Sequence, residues 1–320
     1  MLLEFLSVGL LGILILGIFV PYWLKTKDLK KISSKDLPSN GHWAQLSKGN
    51  IYYRWHHPEQ KNGQTIVMVH GFSTPSFVWN GLLDGLLNKG YSILVYDHYG
   101  RGFSERPRTK YSLDFYAETL KELISHQNID GKIHLVGYSM GGPIIGGFAD
   151  KYSDQVKSLS FIAPAGFGKV QTSIPFFMKI PGVIEWAMHV LADRFYGSAI
   201  SSETAHSNDP LSINEEEFQQ LFSFQMQFKG FRESLASTMR NFNLFDAREM
   251  FEKVAAKNIP SIAIWGDNDG IVSYKGAETY SEIFHEGKVI TIEDGTHDIT
   301  YRQPSDVLEA IKIFLASQIS

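Results

Sequence analysis

Gly137-Tyr138-Ser139-Met140-Gly141 sets a serine between two glycines, directly after the apolar run Ile133–Val136 and directly before a helical pattern. This is the G-x-S-x-G spacing of a nucleophile elbow, in the strand–turn–helix setting that such an elbow requires. The serine backbone is strained by so sharp a turn, and side chains two positions away would collide where helix meets strand. Ser139 is therefore expected at a sheet edge, with a free hydroxyl at a helix N-terminus that favours developing anions. A serine hydroxyl alone is a poor nucleophile. It needs a base, and the base needs an orienting carboxylate. The chain order serine, acid, histidine points to two later loops. One follows Ile262–Trp265 and reads Gly266-Asp267-Asn268-Asp269. The other follows Val289–Ile292 and reads Glu293-Asp294-Gly295-Thr296-His297-Asp298. His297 is the expected base, and the acid is Asp269 or Asp267.

A second site signal is His70-Gly71-Phe72, right after the run Ile66–Val69. A backbone amide in that position can pair with the amide following the nucleophile to bind an oxyanion. Those amides are assigned to Phe72 and Met140. His70 reads as a structural histidine whose ring hydrogen-bonds nearby loops. His56-His57 reads as a surface pair, and Arg101-Gly102 lacks the third glycine of a dinucleotide fingerprint. No P-loop occurs, and neither a metal nor a cofactor is expected. The chain has no cysteine, which excludes disulfides, thiol nucleophiles and thiolate metal sites. Its 30 basic and 34 acidic residues argue against a nucleic-acid partner.

These residues need a scaffold. Short β-branched runs at Ile66–Val69, Ile93–Tyr96, Ile133–Val136, Leu159–Ile162, Ile262–Trp265 and Val289–Ile292 alternate with amphipathic stretches. The helical stretches include Ser112–Ser125, Gly141–Tyr152, Tyr274–Ile283 and Pro304–Ala316. Such alternation predicts an α/β fold with a mostly parallel sheet and helices on both faces. A hairpin, His42–Ser47 and Asn50–His56, precedes it.

The alternation breaks between the fourth and fifth of these runs that belong to the core, residues 42–165 and 246–320. Residues 166–245 are helical in pattern and are read as a cap over the sheet edge. Ten aromatics fall between residues 176 and 231. Most should pack cap on core, but two stripes, Phe218/Phe222/Met226 and Phe224/Phe228/Phe231, suggest a second side facing a cavity or lipid. Phe176, Phe177, Trp186, Phe222 and Met226 are the candidate acyl-chain contacts.

Phe5 to Leu24 is a 20-residue stretch without a charge. As a helix it would span about 30 Å, enough for a hydrocarbon core. Tyr22 and Trp23 supply an interfacial belt, followed by Lys25, Lys27, Lys30 and Lys31. A cleavable signal peptide fits less well: there is no basic n-region and no A-x-A site. Residues 1–24 are thus expected to form a single-pass membrane anchor, with residues 25–41 a solvated linker whose lysines attract anionic headgroups. The lysines favour a cytoplasmic domain. Gly9, Gly12 and Gly17 lack G-x-x-x-G spacing, which leaves a homodimer open but unspecified.

The motifs HGFSTPSFVW (70–79), YDHYGRGFS (96–104), GYSMGG (137–142), WGDND (265–269) and DGTHD (294–298) occur in one order. Over residues 42–320 the chain resembles serine α/β-hydrolases of the monoacylglycerol lipase and esterase type. The layout of anchor and cap is similar to that of membrane-anchored monoacylglycerol lipases and bacterial membrane-anchored phospholipases A, whose catalytic domains face the periplasm. The resemblance implies Asp269 as the acid, through its W-G-x-x-D spacing, and makes Asp97, Gly100 and Gly102 a structural turn. Serine at the nucleophile position sets aside haloalkane dehalogenases and epoxide hydrolases, which carry aspartate there. The expected function is hydrolysis of carboxylic esters of lipid-like substrates at a bilayer. Hydrolysis of small soluble acyl substrates or carbon–carbon bonds is the alternative. A catalytically silent membrane-anchored scaffold is another, which the intact Ser139, Asp269 and His297 argue against.

Overall fold

The computed structural model describes residues 2–168, 176, 180–191 and 208–318. Its strands are β1 (His42–Leu46), β2 (Gly49–His56), β3 (Thr65–Val69), β4 (Ser92–Tyr96), β5 (Ile133–Tyr138), β6 (Val156–Ile162), β7 (Ser261–Gly266) and β8 (Lys288–Ile292). They form one sheet in the order β1-β2-β4-β3-β5-β6-β7-β8. The β1–β2 and β2–β4 pairs are antiparallel and every other pair is parallel. All six residues of β5 and of β7 are buried, as expected for central strands covered on both faces. The sheet is thus the α/β architecture that the alternation predicts, and the hairpin forms its antiparallel edge.

The helices flanking the sheet are α2 (Asn80–Leu87), α3 (Leu113–His126), α4 (Gly141–Lys151), α9 (Gly276–Ile283), α10 (Ile299–Arg302) and α11 (Pro304–Ala316). Ser112 caps α3, its hydroxyl accepting from the Phe115 amide. Between β6 and β7 the described residues contain no sheet strand but four helices: α5 (Val183–Val190), α6 (Glu215–Met226), α7 (Phe231–Asn241) and α8 (Arg248–Ala255). Strands β3 and β5 are neighbours, while β4 lies on the far side of β3. The connection direction therefore reverses between β3 and β5, and a crevice opens at the C-terminal ends of these two strands.

Helix α1 (Leu2–Thr26) precedes the sheet and contains Pro21. Nine of its side chains, at 2–6, 8, 9, 11 and 14, lie outside the described residues. Among the described residues no helix is long and apolar enough to cross a membrane, so the span expected over Phe5–Leu24 is unsupported to that extent. Leu10, Ile13, Leu16, Phe19 and Trp23 are exposed. One side of α1 docks on α5: the Trp186 indole N–H donates to the Ile18 carbonyl at 2.8 Å, and Tyr22 meets His189 edge-on at 5.2 Å. The segment after α1 is not the free tether expected. The Lys30 amide donates to Gln227 O and the Lys229 amide to Lys30 O, and Ile32 is buried. These are backbone bonds, which a lysine-rich side-chain pattern does not reveal.

Candidate active site

The chain leaves β5 at Tyr138 and turns through Ser139, whose φ is +52°. That left-handed conformation costs a non-glycine residue free energy, and local hydrogen bonds hold it. The Ser139 amide donates to Ile162 O at 2.9 Å, and its carbonyl accepts from Gly142 and Ala165 at 2.9 and 3.0 Å. Both glycines of the elbow are sterically required. A Cβ on Gly141 would lie 2.0 Å from Val69 O, and one on Gly137 would lie 2.5 Å from Gly141 O. The hydroxyl is delivered to the mouth of the β3–β5 crevice at the start of α4.

The loops after β7 and β8 pack backbone to backbone. Asn268 N donates to Gly295 O at 2.9 Å, and a Cβ on Gly266 would lie 2.1 Å from that same oxygen. This contact brings Asp269 and His297 together. His297 Nε2 is 2.9 Å from Ser139 Oγ, and its Nδ1 is 2.8 Å from Asp269 Oδ2. The other Asp269 oxygen accepts from the Ile271 and Val272 amides at 2.9 and 2.8 Å. The buried carboxylate is thus held in place while it orients the imidazole. Asp267, the other candidate acid, is exposed. The neighbouring Asp298 is buried, and burial raises its carboxyl pKa. It accepts from the Thr296 hydroxyl and lies 3.4 Å from Arg302 Nε, which fixes the histidine loop. Together these groups can move a proton from a serine hydroxyl to an imidazole, with a fixed carboxylate beside the resulting charge.

The loop after β3 runs against the elbow: a Cβ on Gly71 would lie 3.2 Å from Ser139 Cβ. Within the described residues neither the Phe72 nor the Met140 amide donates a hydrogen bond. His70 is a spacer rather than a base. Its Nε2 accepts from the His98 amide at 2.9 Å, and its ring lies 4.1 Å from that of His98. Burial lowers His70 well below the usual imidazole range and lowers His98 to about 3, so both are neutral. Asp97 closes the turn: its carboxylate accepts from the Ser76 and Phe103 amides at 2.8 and 2.9 Å.

Two residues that the sequence did not flag tie this loop to the inserted helices. Arg101 is fully buried; its Nε donates to Phe72 O at 2.7 Å, Nη1 to Ser234 Oγ at 2.8 Å and Nη2 to Thr238 Oγ1 at 3.1 Å. Gln225, also fully buried, accepts from Gly102 N at 3.0 Å and donates to Ser73 O at 2.8 Å. The one available signal was an arginine between two glycines, Gly100 and Gly102, with aromatics on either side; the glutamine's partners lie more than 100 positions away.

The five candidate acyl contacts do not converge among the described residues. Phe222 is buried, stacked on Phe218 and edge-on to Phe231. Met226 packs against the core cluster. Trp186 contacts α1, Phe176 is 81% exposed, and Phe177 lies outside the described residues. The second aromatic stripe faces neither cavity nor lipid. Phe224 packs on Phe103 at 4.7 Å and on Phe228 at 5.1 Å, because the turn after β4 supplies an aromatic partner there.

A family model described as alpha/beta hydrolase fold matches residues 64–302. The chain belongs to the α/β-hydrolase family. Lipase 3 of Moraxella sp. (strain TA144) is 27% identical over 79% of this chain and 77% of its own length. A monoacylglycerol lipase of Bos taurus is 24% identical over 79% of this chain and 75% of its own. Among solved structures, a membrane phospholipase A superposes with a TM-score of 0.66 at 19% identity, covering 99% of both chains. A thermophilic esterase from Thermogutta terrifontis gives 0.69 at 20% identity, over 88% of this chain and all of that one. At these identities the structural likeness concerns the fold. The hydrolase is thus similar to lipases and esterases along most of its length.

Proposed function

We propose that this hydrolase cleaves carboxylic esters of lipid-like substrates through an acyl-enzyme on Ser139. The observation that carries the reading is the continuous chain Ser139–His297–Asp269 at a left-handed nucleophile elbow. His297 Nε2 takes the Ser139 proton as Oγ attacks the ester carbon. The amides of Phe72 and Met140 bind the oxyanion. His297 returns the proton to the leaving alcohol, Asp269 steadies the imidazolium, and water then releases the acid. No step calls for a metal or a cofactor.

A lipid-like substrate is supported by the lipase relatives and by the apolar surface that α1 exposes beside α5. We place residues 1–24 in or on a bilayer, with residues 166–245 as a cap that receives the acyl chain, Phe176 and Phe177 being candidates to meet it. Esters of rising chain length test the reading. With each buried methylene contributing about 0.8 kcal/mol, kcat/KM should hold or rise beyond the shortest acyl groups. A steep fall beyond acetate would overturn it in favour of small soluble substrates.

A further inference from the structure

A cleft of about 980 Å³ lies between the end of α1, the segment after it, the turn at 105–109 and the start of α7. Five of its lining residues are exposed cations: Lys27, Lys31, Lys48, Arg108 and Lys229. Arg106 and Arg240 line it as well. The only acids in the lining are Glu105 and Glu233, and both are engaged elsewhere. Glu105 accepts from the Asn50 amide at 2.7 Å; Glu233 accepts from Gly230 N and meets His189 Nε2, each at 3.1 Å. Lys31, Lys48, Arg108 and Lys229 make no ion pair among the described residues, and Lys27 is 3.8 Å from an exposed Asp28.

Arg240 is paired with Glu185, but the charge of the exposed lysines and Arg108 is concentrated and largely uncompensated, which costs self-repulsion unless an anion enters. Arg106 Nε and Arg240 Nη1 are buried without a hydrogen-bond partner among the described residues. Gly230 opens α7 at the cleft, so the helix dipole adds to the positive field there. The exposed Arg108 fork beside several ammonium groups suits the oxygens of a phosphate. Part of the wall is apolar, with Tyr22, Leu29, Ile32 and Pro107, beside the hydroxyl residues Thr26, Thr109, Ser234 and Ser237. A ligand with an anionic head and an apolar stem matches both halves.

We propose that this cleft binds the phosphate-bearing head group of an anionic lipid. Its position supports a lipid source: Tyr22 and Thr26 are on the last turns of α1, so a bilayer holding α1 would bring head groups to the cleft. That part rests on the membrane attachment proposed above. The phosphate chemistry of the cleft does not, and the site is separate from Ser139.

The test titrates the full-length chain, in neutral detergent micelles, with three probes by calorimetry. They are a short-chain phosphatidylglycerol diether, the matching phosphatidylcholine diether and inorganic phosphate. The diethers have no carboxylic ester, so the result is independent of the hydrolase reading. The glycerol head group should bind saturably and more tightly than the choline one. The combined variant Lys31→Ala, Arg108→Ala, Lys229→Ala should weaken that binding about fivefold per residue, on the order of a hundredfold in all. A comparison variant of equal charge change, Lys61→Ala, Lys132→Ala, Lys288→Ala, should bind as the parent does. Phosphatidylglycerol binding tighter than inorganic phosphate supports a lipid source, and equal binding supports the phosphate site with free phosphate as its source. Equal losses in the two variants, equal binding of both diethers, or no saturable binding would overturn the proposal.

Discussion

Replacing Arg101 with lysine should slow turnover far more than it changes KM for a soluble ester. The guanidinium is fully buried, pairs with no carboxylate among the described residues, and spans three acceptors: Phe72 O, Ser234 Oγ and Thr238 Oγ1. Its face also lies 5.4 Å from the Phe72 ring centre. Lysine keeps the charge but presents one compact ammonium on a different stem, so at most one of the three acceptors stays bonded. Hydrogen bonds from charged donors contribute about 1.5–3 kcal/mol each, so losing two costs about 3–6 kcal/mol before relaxation. At about 2–4 °C per kcal/mol for a domain approaching this size, Tm should fall by roughly 10 °C. The catalytic effect runs through the Phe72 carbonyl, which shares a short loop with the amide proposed for the oxyanion. Complete loss of one such donor costs about 10²–10³ in kcat. A displaced donor should therefore cost about tenfold to a hundredfold. Steady-state kinetics on a short soluble ester, with circular dichroism melts on the same preparation, give both numbers. A fall in Tm with kcat unchanged would refute the positioning role and leave Arg101 as packing alone.

Asp269→Asn should lower kcat by about 10⁴, because the carboxylate that fixes the His297 tautomer is gone, whereas Asp267→Asn, at an exposed position, should stay close to the parent. Steady-state kinetics decide it, and the reverse order would move the acid to Asp267. Stability should fall on acidification below about pH 6.5. Burial lowers His98 to about 3 and His70 well below its usual range, so the unfolded chain binds protons that the folded chain does not. That stability is complete above the unfolded pKa and is lost as pH falls, at up to about 1.4 kcal/mol per pH unit for each histidine. Urea unfolding from pH 7.5 down to 5 checks the slope, and a flat profile would contradict the assignment.

The elements that sequence revealed best are those whose chemistry is local. Gly137 and Gly141 announce the elbow because their missing side chains are a steric requirement within five residues. The parallel strands announce themselves by being apolar on both faces. Choosing between Asp267 and Asp269 from residues alone was not feasible, since the choice depends on how two loops 28 positions apart pack at Gly266 and Gly295. Helix α2 was missed because NGLLDGLL is short and holds two glycines. The stripe Phe218/Phe222/Met226 lies on α6 as its periodicity implied, whereas Phe224/Phe228/Phe231 is not one helical face: α6 ends at Met226, and the partner of Phe224, Phe103, comes from a turn 121 positions earlier. Arg101 and Gln225 were overlooked for the same reason: a buried polar residue is recognisable only once its partners are known.

The most direct measurement is active-site labelling with a fluorophosphonate, read by intact mass and peptide mapping. One adduct per chain is expected, on Ser139. Ser139→Ala should fold, take no label and lose ester hydrolysis, and His297→Ala should label far more slowly. A folded Ser139→Ala protein that hydrolyses esters at near the parent rate, or an adduct mapped to another residue, would contradict it.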